Sequence, residues 1–246
     1  MMMSFSCKLI VILVSFFWGL GNIAAQPQMS GNPLFAPLLT ADPAALVYKD
    51  SLYVFTGHDE GINSFVMNSW YIFSTADMVN WKNHGVKLRA RDFSWSDGSA
   101  FAGHVVEYNG KFYWFCAVHH KTIKGAGKEG FSIGVAVADH PLGPYKDAIG
   151  SALITDNTPN SIVLNIDPFV MVENGTPYLY WGSWSACRYV KLKSDMITLD
   201  GPVQTVNVQN FFEAPWIHKR NNTYYLSYAS GYPSPTAYSP GPRITG

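Results

Sequence analysis

From residue 42 to residue 230, apolar and polar positions alternate in short runs, and the runs come in pairs. Four stretches line up: DPAALVYKDSLYVF from Asp42, AGHVVEYNGKFYWF from Ala102, DPFVMVENGTPYLY from Asp167 and APWIHKRNNTYYLS from Ala214. Pro43 and Tyr53, Gly103 and Tyr113, Pro168 and Tyr178, and Pro215 and Tyr225 each stand ten residues apart, with the turn formers Lys49-Asp50, Asn109-Gly110, Asn174-Gly175 and Asn221-Asn222 between them. An apolar strand, a turn whose residues tolerate positive φ and an aromatic strand predict a β-hairpin in each unit. The first three units continue through WYIFSTADMVNWKNHG, FSIGVAVADHPLGPYKDA and CRYVKLKSDMITLDG, which predict a third strand with a fourth in reach. Asp77, Asp139 and Asp195 close the third strands, where an aspartate side chain bonds the backbone two residues on. The units start at 43, 103, 168 and 215, so the spacings are 60, 65 and 47 residues. Short strands at such periods predict a radial array of small sheets, and four-stranded units favour a β-propeller. No helix-period segment of comparable length competes.

In a propeller the first strand of every unit runs beside one central axis, so the residues that open those strands converge. Asp42, Asp167 and, at the neighbouring offset, Glu213 are then delivered from three separate sheets to one face of one funnel. The bias of a residue before proline toward extended backbone predicts the direction of Asp42 and Asp167. Turn capping is the competing role for both aspartates. Glu213 follows Phe211-Phe212 and precedes Ala214-Pro215-Trp216, an apolar setting in which a buried carboxylate needs a reason. His119, His120 and Lys121 end a strand and are expected to face solvent.

Charge and composition narrow the partners. Seventeen Lys plus Arg balance seventeen Asp plus Glu, and the basic residues are scattered, which excludes the electrostatic footprint of a nucleic-acid binder. Eight Trp, fourteen Tyr and fifteen Phe in 246 residues suit all-β packing or stacking on flat ligand faces. At the N-terminus, Lys8 precedes an apolar run from Leu9 to Leu20 and the small residues Ala24 and Ala25, the order of a secretory signal peptide over residues 1–25. Export to the periplasm or medium is expected, with no membrane association after cleavage; an uncleaved anchor is the alternative. Cys116 and Cys187 sit in apolar, strand-like contexts that suit buried free thiols, although export would permit them to pair. No metal-type cysteine spacing exists.

The stretches ADPAAL, IDPFV and EAPWI, with STADMVNW after the first and GHVVEYNGKFYWF in between, resemble glycoside hydrolase family 43 from about Asn32 to about Tyr238. The resemblance implies an all-β, five-bladed propeller over residues 32–246, with about four blades recognisable and the last incomplete, because no fifth hairpin follows Tyr225. It implies an inverting hydrolase that releases xylose or arabinose from plant cell-wall polysaccharide or oligosaccharide, β-xylosidase first and α-L-arabinofuranosidase second. Asp42 becomes the general base, Glu213 the general acid, and Asp167 the carboxylate that orients the acid and adjusts its pKa. Such a reaction needs an ionised and a protonated carboxyl about 6.5 to 9.5 Å apart, a gap two blades can supply. Trp70, Trp95, Trp184 and Trp216 are candidates to stack on a pentose, and His58 and His104 to bond its hydroxyls; for the tryptophans inter-blade packing competes, and for His104 a satisfied core position. No cofactor is required. A central-channel calcium occurs in the family, but its usual ligand region has no counterpart here. A monomer is expected. The reading from another class is a carbohydrate-binding propeller that does not cut, inactive through loss of the last blade.

Overall fold

The computed structural model describes residues 34–61 and 65–231; the leader expected over residues 1–25 and the further strand expected at 236–239 lie outside the described residues. The described chain is built from β-strands, with a 3-10 turn at Ala90–Asp92. Strands β1 (Thr40–Tyr48), β2 (Ser51–Asp59), β3 (Met67–Thr75) and β4 (Lys82–Arg89) form one antiparallel sheet in chain order. A second comprises β5 (Ser96–Tyr108), β6 (Lys111–His120), β7 (Phe131–Ala138) and β8 (Lys146–Asp147). A third comprises β9 (Phe169–Glu173), β10 (Thr176–Ser183), β11 (Ala186–Lys191) and β12 (Gln204–Val206), and β13 (Phe211–Arg220) pairs with β14 (Thr223–Ser230) as a two-stranded sheet. The first strand of each sheet opens one of the four units seen in the sequence.

The hairpin turns fall where turn chemistry places them. Lys49, Asn109, Asn174, Asn221 and Asn222 all hold positive φ, between 48° and 62°, and Gly110 and Gly175 take the second turn position at 78° and 76°. Asn and Gly adopt left-handed backbone at least cost, and Lys49 is the exception among these turns. Asp77 and Asp195 cap turns as expected: Asp77 accepts from the N–H of Val79 and of Asn80, and Asp195 from Ile197 and Thr198. Asp139 departs from that expectation. It is paired with Lys111 at 2.7 Å across the β6–β7 ladder, so its oxygen is held by a charge instead of the backbone.

Neighbouring sheets pack through their first strands: β5 against β1, β2 and β3, β9 against β5, and β13 against β9, β10 and β11. Two apolar cores result. One lies between the first and second sheets around Phe55, Trp70, Trp114 and Phe93; the other lies between the second and third around Phe115, Ile133, Trp181 and Leu179. Trp70 and Trp95 belong to the first core, and this corrects their reading as sugar-stacking residues. Trp70 is 1% exposed and donates from its indole to the carbonyl of Phe101, while Trp95 donates to Asp147. His120 is buried too, its ring stacked on Trp95 and its Nδ1 accepting from the N–H of Thr122, so it does not face solvent. Cys116 and Cys187 are buried free thiols.

Candidate active site

The three acidic residues are placed by a local distortion that recurs. In β1 the pairing jumps from Ala41 opposite Gly57 to Ala44 opposite Phe55, so Asp42 and Pro43 bulge from the ladder. In β13 the register shifts on both sides of Glu213. Asp167 sits just before β9. Asp42, Asp167 and Ala214 each precede a proline, and each holds a left-handed φ: 51°, 57° and 58°. The expected extended backbone at Asp42 and Asp167 is therefore corrected. Proline disfavours right-handed α backbone in the residue before it, and with the strand unable to stay in its ladder the left-handed region remains. Such a residue costs about 1–3 kcal/mol and persists only where its surroundings impose it. A bulge re-aims a side chain out of the ladder.

All three carboxyls line one cavity of about 1020 Å³. Its walls come from the starts of β1 and β13, the middle of β5, the segment leading into β9 and the end of β14, with Phe65, Phe101, Phe212 and Tyr228 among the apolar contributors. One side is a cluster of rings. His104 lies 4.5 Å from Phe169 and 5.1 Å from Trp216, and Phe169 and Trp216 lie 4.8 Å apart, measured between ring centroids. His104 Nδ1 accepts from the N–H of Val170, which leaves the proton on Nε2; burial pushes the ring pKa down to about 3, so His104 is neutral throughout the working range.

Burial and mutual repulsion act on the acids together. Asp167 is raised to about 8, by burial first, then by the charges of Glu213 and Asp42, against the opposing hydrogen bond from the Ala214 N–H. Glu213 is raised by burial and then by Asp42. Asp42 opens onto the cavity, yet protein crowds its other sides, so burial raises it too, with the charge of Asp59 adding to the effect. Asp167 and Glu213 are thus coupled by their charges, and burial and Asp42 raise both. Three carboxyls in one low-dielectric pocket cannot all ionise near neutral pH, and the retained proton belongs to the coupled group.

Of the remaining candidates, His104 and Trp216 line the cavity and His58, Trp70 and Trp184 do not. His58 faces Glu60, with Nδ1 3.6 Å from the carboxylate, and meets Tyr71 edge-on. Trp184 is 45% exposed at the turn between β10 and β11. Sequence reasoning missed Asp59 and the Ala214 N–H. Hairpin pairing held no signal for Asp59, because the register that places His58 opposite Thr40 sets Asp59 against Leu39 and sets the Asp42 bulge opposite Thr56. Among the described residues no group of three or more His, Cys, Asp and Glu side chains is disposed to hold a metal ion, so the calcium that the resemblance allows finds no such set there.

Small antiparallel sheets here bring three acids from separate strands to one cavity. Residues 30–239 match the family model for Glycosyl hydrolases family 43, and the chain belongs to that family. It is 31% identical to an arabinoxylan arabinofuranohydrolase of Bacillus subtilis, over 91% of this chain and 51% of that protein. It is 32% identical to the enzyme of the same name from Paenibacillus polymyxa, over 90% of this chain and 40% of that protein. The chain therefore spans about half the length of these curated relatives, or less. Among solved structures, an α-L-arabinofuranosidase from Clostridium thermocellum superposes with a TM-score of 0.68 at 35% identity, covering 82% of this chain and 67% of that one. A β-xylosidase/α-arabinofuranosidase from a compost microbial metagenome, in complex with xylotriose and calcium-free, gives 0.70 at 26% identity, covering 82% and 73%.

Proposed function

We propose that this chain is a glycoside hydrolase that releases xylose or arabinose from hemicellulose with inversion of configuration, acting as an exported monomer. The observation that carries the proposal is the convergence of Asp42, Asp167 and Glu213, from three separate sheets, on one cavity in which all three carboxyls are raised. The sheets are read as blades of a five-bladed propeller, the fourth represented in the described residues by β13 and β14.

Asp42, ionised, takes a proton from a water molecule whose oxygen attacks the anomeric carbon on one sugar face. Glu213, protonated, gives its proton to the glycosidic oxygen as the bond to carbon breaks on the other face. The sugar leaves with a hydroxyl of inverted configuration, and the proton on Asp42 returns to Glu213 through solvent before the next turnover. Asp167, held by the Ala214 N–H beside Glu213, keeps a proton within the cluster and fixes the backbone that carries the acid. Trp216 and His104 bound the sugar pocket, the indole offering an apolar face and Nε2–H a donor. Two relatives at 31% and 32% identity are named for arabinofuranose release and one at 28% for both pentoses, which supports arabinose release ahead of the xylose release expected first from the sequence.

The test is a set of isosteric variants. Asp42→Asn, Asp167→Asn and Glu213→Gln are each expected to cut pentose release from chromogenic xyloside and arabinofuranoside by at least about a hundredfold, in line with the contribution of one general acid or base. Binding of oligosaccharide should survive. Activity within a few-fold of wild type in all three would exclude the mechanism.

A further inference from the structure

Asp167 enters the cavity from a stretch that lies outside the sheets. From 148 to 168 the chain belongs to none of the named strands, apart from a bridge between Ile154 and Ile133. The part that leads into β9 is fastened through Asn165, which is fully buried. Its Nδ2 donates to the carbonyl of Phe131 in β7 at 3.2 Å and to Asp156 Oδ1 at 3.0 Å. Its Oδ1 accepts from the Trp181 indole in β10 at 3.1 Å and from the N–H of Ile162 at 3.3 Å. The amide is thus used in full, both donors and both acceptor positions. Asp156, buried as well, is fixed in turn: its Oδ2 accepts from the N–H groups of Gly125 and Gly130 in the loop between β6 and β7. Backbone bonds complete the mounting. The N–H of Gly182 donates to the carbonyl of Ile166, and the hydroxyl of Ser183 to that of Leu164.

We infer that Asn165 is a positioning residue for the reaction, setting through the backbone it anchors where the Asp167 carboxyl stands beside Glu213. The inference rests on the roles proposed above for those two acids. Asn165 stands two residues before Asp167; its neighbours Leu164 and Ile166 line the cavity, and Asn165 itself does not. It touches no reacting atom and acts through another residue. Phe131 belongs to the second sheet and Trp181 to the third, so one amide fixes the segment that ends in Asp167 against both sheets at once. Asp167 holds a left-handed φ of 57°, a conformation that persists only where its surroundings impose it. Asn165 supplies such a restraint two residues away. Net stability gives little reason for an amide here, since apolar groups of matching shape can replace a buried hydrogen-bonded set at nearly no cost. What a fully satisfied buried network adds is one defined arrangement. Aspartate would match the shape of Asn165 and fail that task, because it would face the Phe131 carbonyl and Asp156 with oxygen in place of a donor.

The experiment is a double-mutant cycle on pentose release from chromogenic xyloside and arabinofuranoside, with Asn165→Ala and Asp167→Asn made singly and together. A misplacement of about 1 Å costs roughly a hundredfold in rate, so Asn165→Ala is expected to lower kcat by about ten- to a hundredfold in the otherwise wild-type chain. In the Asp167→Asn background the same substitution is expected to change kcat by less than about twofold, because a residue that acts through Asp167 has nothing further to displace. Equal losses in the two backgrounds would overturn the inference, since a general loosening of the fold lowers both alike. So would a kcat in Asn165→Ala within about twofold of wild type. Circular dichroism and a thermal melt show whether Asn165→Ala is folded. If it is not, Trp181→Phe carries the cycle: it removes one donor to Asn165 Oδ1, keeps a ring in the core, and is judged by the same non-additivity. Activity near wild type in Asp167→Asn alone would overturn the role of that carboxyl instead, a result separate from the comparison between backgrounds.

Discussion

Asp42 is the residue on which the pH behaviour of the site turns. Its carboxyl is raised by burial and by the neighbouring charge of Asp59, so the acid limb of kcat/KM should stand above the ordinary aspartate range. Asp59→Asn removes one of the two causes without touching the cavity lining. That variant is expected to move the acid limb to lower pH with little change in the plateau, which a pH–rate profile checks. Asp167 carries the complementary prediction for stability. Its folded pKa of about 8 lies above the ordinary 3.8, so its contribution to stability is complete below 3.8 and is lost as the pH rises through about 8. Asp167→Asn should therefore gain on wild type by about 4 kcal/mol in urea denaturation between pH 5 and pH 8. The convergence of the three acids was legible because Asp42 and Asp167 open their units at the same offset and Glu213 at the neighbouring one. Their protonation was not: it depends on distances through the folded chain, and Asp59, opposite Leu39 in the ladder, acts on Asp42 only through its charge. The tryptophans were illegible for a different reason, since stacking on a sugar and stacking on a neighbouring sheet select the same ring, and only the face to which a strand turns it decides between Trp70 and Trp216.

At the scale of the element, hairpins could be read from the chain because turn chemistry is local: two residues able to hold positive φ mark each one. The last strands of the sheets were harder. β8 has two residues and β12 three, too short for any period to emerge. Bulges escaped altogether: a residue before proline predicts extended backbone, whereas Asp42 and Ala214 stand in bulged strands and Asp167 just before β9, all three with left-handed φ. This has a measurable consequence. Ala214→Gly relieves a methyl group of that conformation and should stabilise the fold by about 1 kcal/mol in chemical denaturation, since glycine takes positive φ freely. Gly182 in β10 makes the opposite case. A Cβ there would stand 2.6 Å from the Phe211 ring and 2.7 Å from the Ala186 carbonyl, and the second of these is backbone that cannot step aside. Gly182→Ala is expected to cost about 2 kcal/mol or more and, because Phe211 opens the strand carrying Glu213, to lower kcat as well.

Over the whole molecule, order is distributed unevenly. Strands β6 and β7 of the second sheet are largely buried, while β14 and the far half of β13 are largely exposed. Amide hydrogen exchange should accordingly be slowest in β6 and β7 and faster by orders of magnitude in β13 and β14, the region that supplies the proposed acid. Equal protection in the two regions would contradict this reading. The array of small sheets was legible from the spacing of its units, but the grading of burial among them was not, because all four units carry similar apolar and aromatic strands. One exception was visible in retrospect: FYWFCAV in β6 is apolar at consecutive positions. Its alternate residues Phe112, Trp114, Cys116 and Val118 enter the first core and Phe115 enters the second. A strand wedged between two interiors behaves as a keystone. Loosening either neighbour leaves one flank of β6 still gripped, so damage at one margin of the protein need not propagate to the other, whereas a single polar intruder on β6 would unseat both halves at once.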